Sequence, residues 1–240
     1  MPDNSKKYHK LVMSNNVVEV ISYSLDKSLC GGRKSSGNTS PEDKIDNRRK
    51  TLRRNRTKVR RLVECNPELN RFLTLTFEDN VDNLDYAFDE FRKFIQRLRY
   101  NEAENLKYIA TIEFQKRGAI HFHLLVDRFI DYRKYQKIWG HGYIWIERPS
   151  SVAKAINYIT KYITKLDACD KRLWGRKSIF TSRNLVRPIV REFDSLFELM
   201  NYLEPLIVRM SATLETLSSL EFDVDFVGRC QYRMMKLFPT

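Results

Sequence analysis

Two histidines lie one residue apart in the apolar stretch from Ala119 to Val126, as His121-Phe122-His123. Side chains at positions i and i+2 of a strand project from the same face of a sheet, so both imidazoles would point to one side. If Lys116-Arg117-Gly118 forms a three-residue hairpin loop, Glu113 falls directly opposite His121. A carboxylate and two imidazoles on one face can hold a divalent metal ion.

The register of this hairpin decides whether the cluster forms. With a two-residue loop, Glu113 would lie opposite Phe122 and the carboxylate would leave the histidine face. A structural interpretation is also open, because a His-x-His pair alone can be two exposed strand histidines. The chain has only four histidines, and two of them are paired in this way beside a glutamate, which favours the metal-binding interpretation.

A second chemical pattern is the tyrosine pair in a predicted helix that spans 151–166. Tyr158 and Tyr162 are one helical turn apart, so their side chains share one side of the helix. A phenol with a pKa near 10 is a poor nucleophile at neutral pH, and nearby cations favour its ionised form. The same flank carries Lys154, Lys161 and Lys165. The pair is therefore a candidate for covalent catalysis, with an aromatic rim on the core as the alternative.

Short elements predicted from the hydrophobic pattern must position these residues. Strands are predicted at 72–77, 107–114, 119–126 and 143–146, and helices at 84–100, 131–139 and 151–166. This order predicts an α+β fold, with a single antiparallel β-sheet and helices packed on one face, of the ferredoxin or RRM type. Trp139, Trp145 and the apolar side chains opposite the histidine face are expected in the core.

A strongly basic helix is predicted before this core. It begins at Ser40 as N-cap, continues with Pro41, and ends near Cys65 before Asn66-Pro67. Ten Lys and Arg lie between Lys44 and Arg61. Like charges at this density repel unless something neutralises them, which favours a helix lying on phosphates over a solvated connector. The candidate DNA contacts are Arg53, Arg54, Lys58 and Arg61.

The remaining segments are expected to form a strand at 17–23, a loop at 27–39, a helix at 196–220 and a strand at 226–237. We therefore expect three parts: an N-terminal strand and basic helix at 1–66, a core at 67–168, and a C-terminal extension at 169–240 packed on that core.

Charge points to a polyanionic partner. The 240 residues carry a formal net charge of +13. Residues 192–240 contain eight acidic and four basic side chains, so the first 191 residues carry +17. Nucleic acid is the first candidate partner for such a balance. No run of 18 apolar residues occurs, the first residues lack the apolar stretch of a signal peptide, and the four cysteines lie far apart. We therefore expect a cytoplasmic protein with reduced thiols and no membrane partner.

Three motifs occur in a characteristic order: the Thr-rich strand Phe72 to Phe77, the His-Phe-His strand, and the helix with Tyr158-Ile159-Thr160-Lys161-Tyr162. The ordered set resembles the HUH endonucleases, specifically the rolling-circle replication initiators of bacterial plasmids and single-stranded DNA phages. The doubled tyrosine is similar to that of the phage initiators. The resemblance covers residues 70 to 166.

This resemblance implies a set of roles. His121, His123 and Glu113 would hold Mg²⁺ or Mn²⁺ against the scissile phosphate, with Gln115 as the competing third ligand. Tyr158 or Tyr162 would attack that phosphate and leave a 5′-phosphotyrosine and a free 3′-hydroxyl. The implied roles of the other residues are phosphate positioning for Lys161, contacts with DNA or with the metal ligands for Thr74 and Thr76, and DNA contacts for Lys154 and Lys165. His141 is interpreted as a loop residue.

The implied function is the nicking and rejoining of single-stranded or hairpin origin DNA. The chain has no G-x-x-x-x-G-K-[ST] motif, so a host helicase and polymerase would act in trans. A transposase or a mobilisation relaxase is the alternative within the same chemistry. A non-catalytic RRM-like module that binds nucleic acid is the alternative from another class.

Overall fold

The computed structural model describes residues 8–23, 40–210, 212–224 and 228–239. The chain divides into two compact units: one contains the described residues of Met1–Gly37 and Arg187–Thr240, and the other is Asn38–Val186. The basic helix thus belongs with the core, and the N-terminal strands belong with the C-terminal segment, unlike the expected division at residues 66 and 168. The loop expected at 27–39 lies outside the described residues.

The larger unit is built on a five-stranded antiparallel sheet with the order β6-β3-β5-β4-β7. Its strands are β3 (Arg71–Thr76), β4 (Tyr108–Phe114), β5 (Ile120–Val126), β6 (Ile144–Glu147) and β7 (Ile179–Thr181). Its helices are α1 (Pro41–Cys65), α2 (Leu84–Asn101), α3 (Tyr132–Trp139) and α4 (Val152–Lys165), with a short 3₁₀ helix at Lys171–Leu173. Every strand and helix predicted for the core is present.

Helices pack on both faces of this sheet, so the expectation of helices on one face is wrong. On the first face, Phe91 of α2 stacks on Phe122 of β5, with 4.5 Å between ring centroids. On the second face, Tyr162 of α4 stacks on His123 of β5. Alternate residues of a strand point to opposite faces, which separates Phe122 from the two histidines. The histidine face is therefore partly covered by the tyrosine helix.

Helix α1 has the predicted boundaries. The Ser40 hydroxyl accepts a hydrogen bond from the Asp43 backbone N–H at 3.1 Å, and Pro41 begins the helix. The helix buries a narrow apolar stripe of Leu52, Val59, Leu62 and Val63. It packs against α4, and its residues Arg53, Arg56 and Arg60 line a groove along the tyrosine helix.

The smaller unit is a second five-stranded sheet with the order β8-β1-β2-β10-β9, so the prediction of a single sheet is wrong. Its strands are β1 (Tyr8–Ser14), β2 (Val17–Tyr23), β8 (Ile189–Phe193), β9 (Ala212–Val224) and β10 (Gly228–Pro239), and its helix is α5 (Leu196–Arg209). Leu199 and Leu203 of α5 pack with Leu11, Val18 and Leu237.

The helix expected to reach Leu220 ends at Arg209, and its second half is strand β9 instead. β9 pairs with β10, the next strand along the chain, and a pattern read within residues 196–220 alone does not include this partner. The leucines of this segment have helical spacing, but the pairing of β9 with β10 makes it a strand. Among the described residues, no helix is long and apolar enough to cross a membrane.

Candidate active site

The β4–β5 hairpin has the register that brings the acidic and histidine side chains together. The Gln115 backbone N–H donates to the Ala119 carbonyl at 2.9 Å, and the Gly118 N–H donates to the Gln115 carbonyl at 2.8 Å. Gly118 has φ of 87°, a conformation that glycine adopts without strain. The loop is therefore three residues long, and Glu113 lies opposite His121 as predicted.

His123 is fixed from both ring nitrogens. Its Nε2 lies 2.8 Å from Oε2 of Glu113. Its Nδ1 lies 3.0 Å from Oγ1 of Thr74, the residue of β3 that pairs with His123. Burial lowers the pKa of His123 and so favours the neutral ring with one N–H, while the contact with Glu113 opposes this shift. Because a threonine hydroxyl can donate or accept, Thr74 can pair with either tautomer.

His121 is also buried and has a different neighbour. Its Nδ1 lies 3.4 Å from Nε2 of Gln115, and burial lowers the pKa of the imidazole. The two candidates for a third metal ligand are thus divided between the histidines: Glu113 contacts His123 and Gln115 contacts His121.

Glu113 is ionised. Its hydrogen bond with His123 is the main cause that lowers its pKa to about 2, with Lys165 contributing and burial opposing. The Lys165 ammonium donates to Oε1 of Glu113 at 2.7 Å. Lys165 therefore neutralises the carboxylate beside the histidines, a contact that sequence reasoning did not foresee.

The chemistry of these side chains fits a divalent cation, because neutral imidazoles and an ionised carboxylate are the forms that bind metals. Thr74 holds the far nitrogen of His123, as outer partners of metal-bound histidines commonly do. In the described part of the chain, no group of three His, Cys, Asp or Glu side chains is arranged to hold a metal. A cation beside Nε2 of His123 would have to replace its hydrogen bond with Glu113.

Tyr162 lies flat on the histidine. The ring centroids of Tyr162 and His123 are 3.4 Å apart and the planes differ by 13°. The ammonium groups of Lys165 and Lys161 lie 5.2 and 5.8 Å from the centroid of the tyrosine ring. Burial, with the charge of Glu113, raises the pKa of Tyr162, and Lys165 opposes this rise.

Tyr158 has its own acidic partner. Its hydroxyl donates a hydrogen bond to Oε1 of Glu147, the last residue of β6, and this bond raises the pKa of the phenol. Phe72 of β3 stacks with both tyrosines, with centroid distances of 5.3 Å to Tyr158 and 5.9 Å to Tyr162. Sequence reasoning missed Glu147 altogether. Alternation with Thr74 already placed Phe72 on the histidine face.

The model of the family "Replication-associated protein ORF2/G2P" matches residues 70–167. The match covers less than half of the chain, and we use the name ORF2/G2P domain below only for these matched residues. The match runs from the start of β3 to just past the end of α4 and so contains both histidines, Glu113 and both tyrosines. It confirms the resemblance to rolling-circle replication initiators over nearly the range expected from the sequence motifs. No curated protein and no solved structure gave a significant match.

Thr76, the second threonine of β3, hydrogen-bonds with the backbone of the chain. The Thr76 hydroxyl donates to the Tyr143 carbonyl at 2.8 Å and lies 3.2 Å from the Tyr143 N–H. Thr76 does project from the histidine face, as expected, since it pairs with His121. Its hydroxyl helps to fix the start of β6.

The two tryptophans expected in the core of the ORF2/G2P domain differ. Trp139 is fully buried and donates its indole N–H to the Thr76 carbonyl at 2.8 Å. Trp145 is 67% exposed and lies opposite Thr74 on the histidine face, so its core assignment is wrong. The edge position of β6 leaves this ring uncovered. His141 is paired with Glu90 of α2 at 2.7 Å and takes no part in the histidine cluster.

Cations surround the tyrosine helix. Lys154 and Lys161 are exposed on α4, as are Arg53, Arg54 and Lys58 on α1, whereas Arg61 is half-buried. Arg53 also lines a groove between α1 and α4 together with Asn157 and Thr160 of α4. Arg53 of α1 thus lies beside Asn157, the neighbour of Tyr158 in the chain.

Proposed function

We propose that this protein initiates rolling-circle replication by nicking and rejoining single-stranded or hairpin origin DNA through a metal-assisted tyrosine attack. The observation that carries this proposal is the contact between the Tyr162 ring and His123 inside a domain of a replication-associated family. It brings a nucleophile of the right chemistry to a pair of neutral imidazoles and a carboxylate.

The metal would be Mg²⁺ or Mn²⁺, held by His121, His123 and either Glu113 or Gln115. When bound, it would polarise the scissile phosphate and stabilise charge on its oxygens. Thr74 keeps the His123 ring in its plane through Nδ1. His123 and Lys165 keep Glu113 ionised. The Lys165 ammonium, which contacts Glu113, would also supply positive charge beside a bound phosphate.

The chemical step is a transesterification. The phenol of a tyrosine gives up its proton and its oxygen attacks the phosphorus. The bond from phosphorus to the 3′ oxygen breaks, and the 3′ oxygen takes up a proton from solvent to leave as a free hydroxyl. For Tyr158, Glu147 is positioned to take the phenolic proton, since it already accepts the hydrogen bond. The product is a 5′-phosphotyrosine, and attack by a 3′-hydroxyl on this linkage rejoins the strand.

Two tyrosines serve two successive transfers. One holds the 5′ end of the displaced strand while the second cuts the regenerated origin. Tyr158 and Tyr162 lie one turn apart and share the Phe72 ring, so both reach the same side of the sheet.

The exposed Trp145 offers a surface on which a base of the bound strand can stack, next to Thr74. Lys154 and Lys161 of α4 and the basic residues of α1 would contact phosphates. Strand separation and synthesis would depend on a host helicase and polymerase. The family match to replication-associated proteins favours this role over that of a transposase or a relaxase.

The decisive experiment incubates the protein with Mn²⁺ and origin-like single-stranded oligonucleotides labelled at the 3′ end. A covalent adduct that maps to Tyr158 or Tyr162 is expected, and it should disappear with a chelator. Binding without any adduct, at any origin sequence of the native replicon, would support the non-catalytic alternative.

A further inference from the structure

A second basic groove lies at the opposite edge of the core sheet from β6. It has a volume of about 900 Å³ and runs between α1 and the segment from Trp174 to Thr181, which includes β7. None of its lining residues belongs to the histidine and tyrosine cluster. The groove therefore needs its own explanation.

Arg48 is the least satisfied charged group in this groove. The side chain is 7% exposed, and one of its terminal nitrogens, Nη1, donates to the Arg176 carbonyl at 3.3 Å. Its Nε and Nη2 atoms are buried without a hydrogen-bond partner among the described residues. Burial lowers the pKa of this guanidinium, and the charge of the nearby Asp170 carboxylate, which hydrogen-bonds with Arg172, opposes this shift. Two donor atoms of Arg48 still lack an acceptor, and an anion that accepted from them would lower the cost of burying this charge.

The surrounding side chains also suit an anion. Lys44, Lys58 and Lys177 line the groove, and the residues described as lining it include no carboxylate. Asn47, Thr51 and Asn55 add neutral hydrogen-bonding groups along the α1 side. A guanidinium flanked by ammonium groups is the typical setting for a phosphate.

The groove is also lined by an aromatic ring, Trp174, on which a base can stack. Trp174 is half-buried, and its indole N–H donates to the Ala168 carbonyl at 3.1 Å, which fixes the ring. The Lys44 ammonium lies 5.7 Å from the centroid of the same ring. Tryptophan beside cations is the pairing that single-stranded nucleic acids use, because the base stacks while the phosphate is neutralised.

We propose that this groove binds a nucleotide of single-stranded DNA, with its phosphate on Arg48 and Lys177 and its base on Trp174, away from the site of cleavage. The proposal rests on the proposed function only in taking DNA as the polyanion. The groove would be a second DNA-binding site of the protein. It would keep the origin DNA bound while one covalent DNA–tyrosine linkage is replaced by the other.

The test measures binding of a labelled oligothymidylate by fluorescence anisotropy, in the absence of metal so that no cleavage occurs. Arg48→Met removes the charge and keeps much of the volume, Lys177→Gln removes an exposed charge, and Trp174→Leu removes the ring. Each should weaken binding, the tryptophan variant by about five- to hundredfold, as for loss of one stacked base. Lys137→Gln, an exposed lysine of α3, is the matched control and should bind normally.

Thermal unfolding separates a binding role of Arg48 from a structural one. Without DNA, Arg48→Met should melt at the wild-type temperature or above it, because an unsatisfied buried charge is removed. A lower melting temperature together with wild-type affinity in Arg48→Met and Lys177→Gln would overturn the proposal. Stabilisation by pyrophosphate equal to that by the oligonucleotide, and unchanged in Trp174→Leu, would also overturn it by identifying a simple phosphate site.

The same variants distinguish this proposal from the proposed function. If the wild type forms a tyrosine adduct and the groove variants bind DNA normally, only the groove proposal fails. If the groove variants bind weakly but no adduct forms under any metal condition, only the nicking function fails.

Discussion

The hydroxyl of Tyr158 donates a hydrogen bond to the carboxylate of Glu147, across the gap between α4 and the edge strand β6. Tyr162, one turn later, has no such contact with Glu147 and instead lies on His123. The two tyrosines are therefore chemically different: one has a proton acceptor in place, and the other is tied to the histidine cluster.

Glu147→Gln should impair attack by Tyr158 and spare attack by Tyr162. In a Tyr162→Phe background, the rate of adduct formation should fall about a hundredfold or more, as for loss of a general base. In a Tyr158→Phe background the same change should have little effect. Single-turnover assays with a labelled oligonucleotide measure both rates, and Glu104→Gln at an exposed position is the control. Equal losses of rate in the two backgrounds would mean that Glu147 supports the folded structure of the site and is not the proton acceptor of Tyr158.

Single replacement of Tyr158 or Tyr162 by Phe should leave nicking of a simple oligonucleotide and should impair complete replication rounds. The reason is that each round needs two transfers, and one remaining tyrosine can perform only the first. The double replacement should form no adduct. One inactive and one normal single variant in both assays would show that only one tyrosine is catalytic.

His121→Ala should abolish metal-dependent nicking and lower the melting temperature only modestly, because the buried ring makes a single long contact with Gln115. His123→Ala should abolish nicking as well, but it should also cost about 2–4 kcal/mol of folding free energy, because a packed ring and two hydrogen bonds are lost. Adduct assays under Mn²⁺ and urea unfolding separate the two effects. If either variant keeps full activity under Mn²⁺, the replaced histidine is not a metal ligand.

Thr74→Val should weaken metal binding without abolishing the reaction. The substitution keeps the shape of the side chain and removes the hydroxyl that holds Nδ1 of His123. The Mn²⁺ concentration for half-maximal adduct formation should rise about 10- to 100-fold, and Thr74→Ser should restore it. A changed maximal rate with the same Mn²⁺ dependence would point to a contact with DNA instead.

Replacement of Arg53 and Arg54 by Gln should weaken binding to all single-stranded sequences alike. Both residues are exposed on α1 and lie apart from Arg48 and its groove. Phosphate contacts carry little sequence information, so the cleavage position should stay the same. The dependence of affinity on salt should become shallower by about 0.7 per lost contact. An unchanged salt dependence would assign these arginines to another partner.

The sequence was sufficient to predict the parts of the site that depend on short-range geometry. The three-residue loop after Gln115 determined that Glu113 faces His121, and the Ser40-Pro41 start and Asn66-Pro67 end defined α1. Positions decided by the pairing of one strand with another were not predictable in this way. Trp145 is exposed because β6 is an edge strand, and β9 is a strand because β10 pairs with it.

The flat contact between Tyr162 and His123 has a mechanical consequence. One face of the tyrosine ring lies on the imidazole, and Phe72 contacts both rings, so rotation of the tyrosine ring is restricted. A DNA end joined to this oxygen would be held on a short, stiff tether. The 5′ end of the DNA would then stay close to the metal ligands while the whole replicon is copied. The 3′-hydroxyl that rejoins the strand would meet this end already in place.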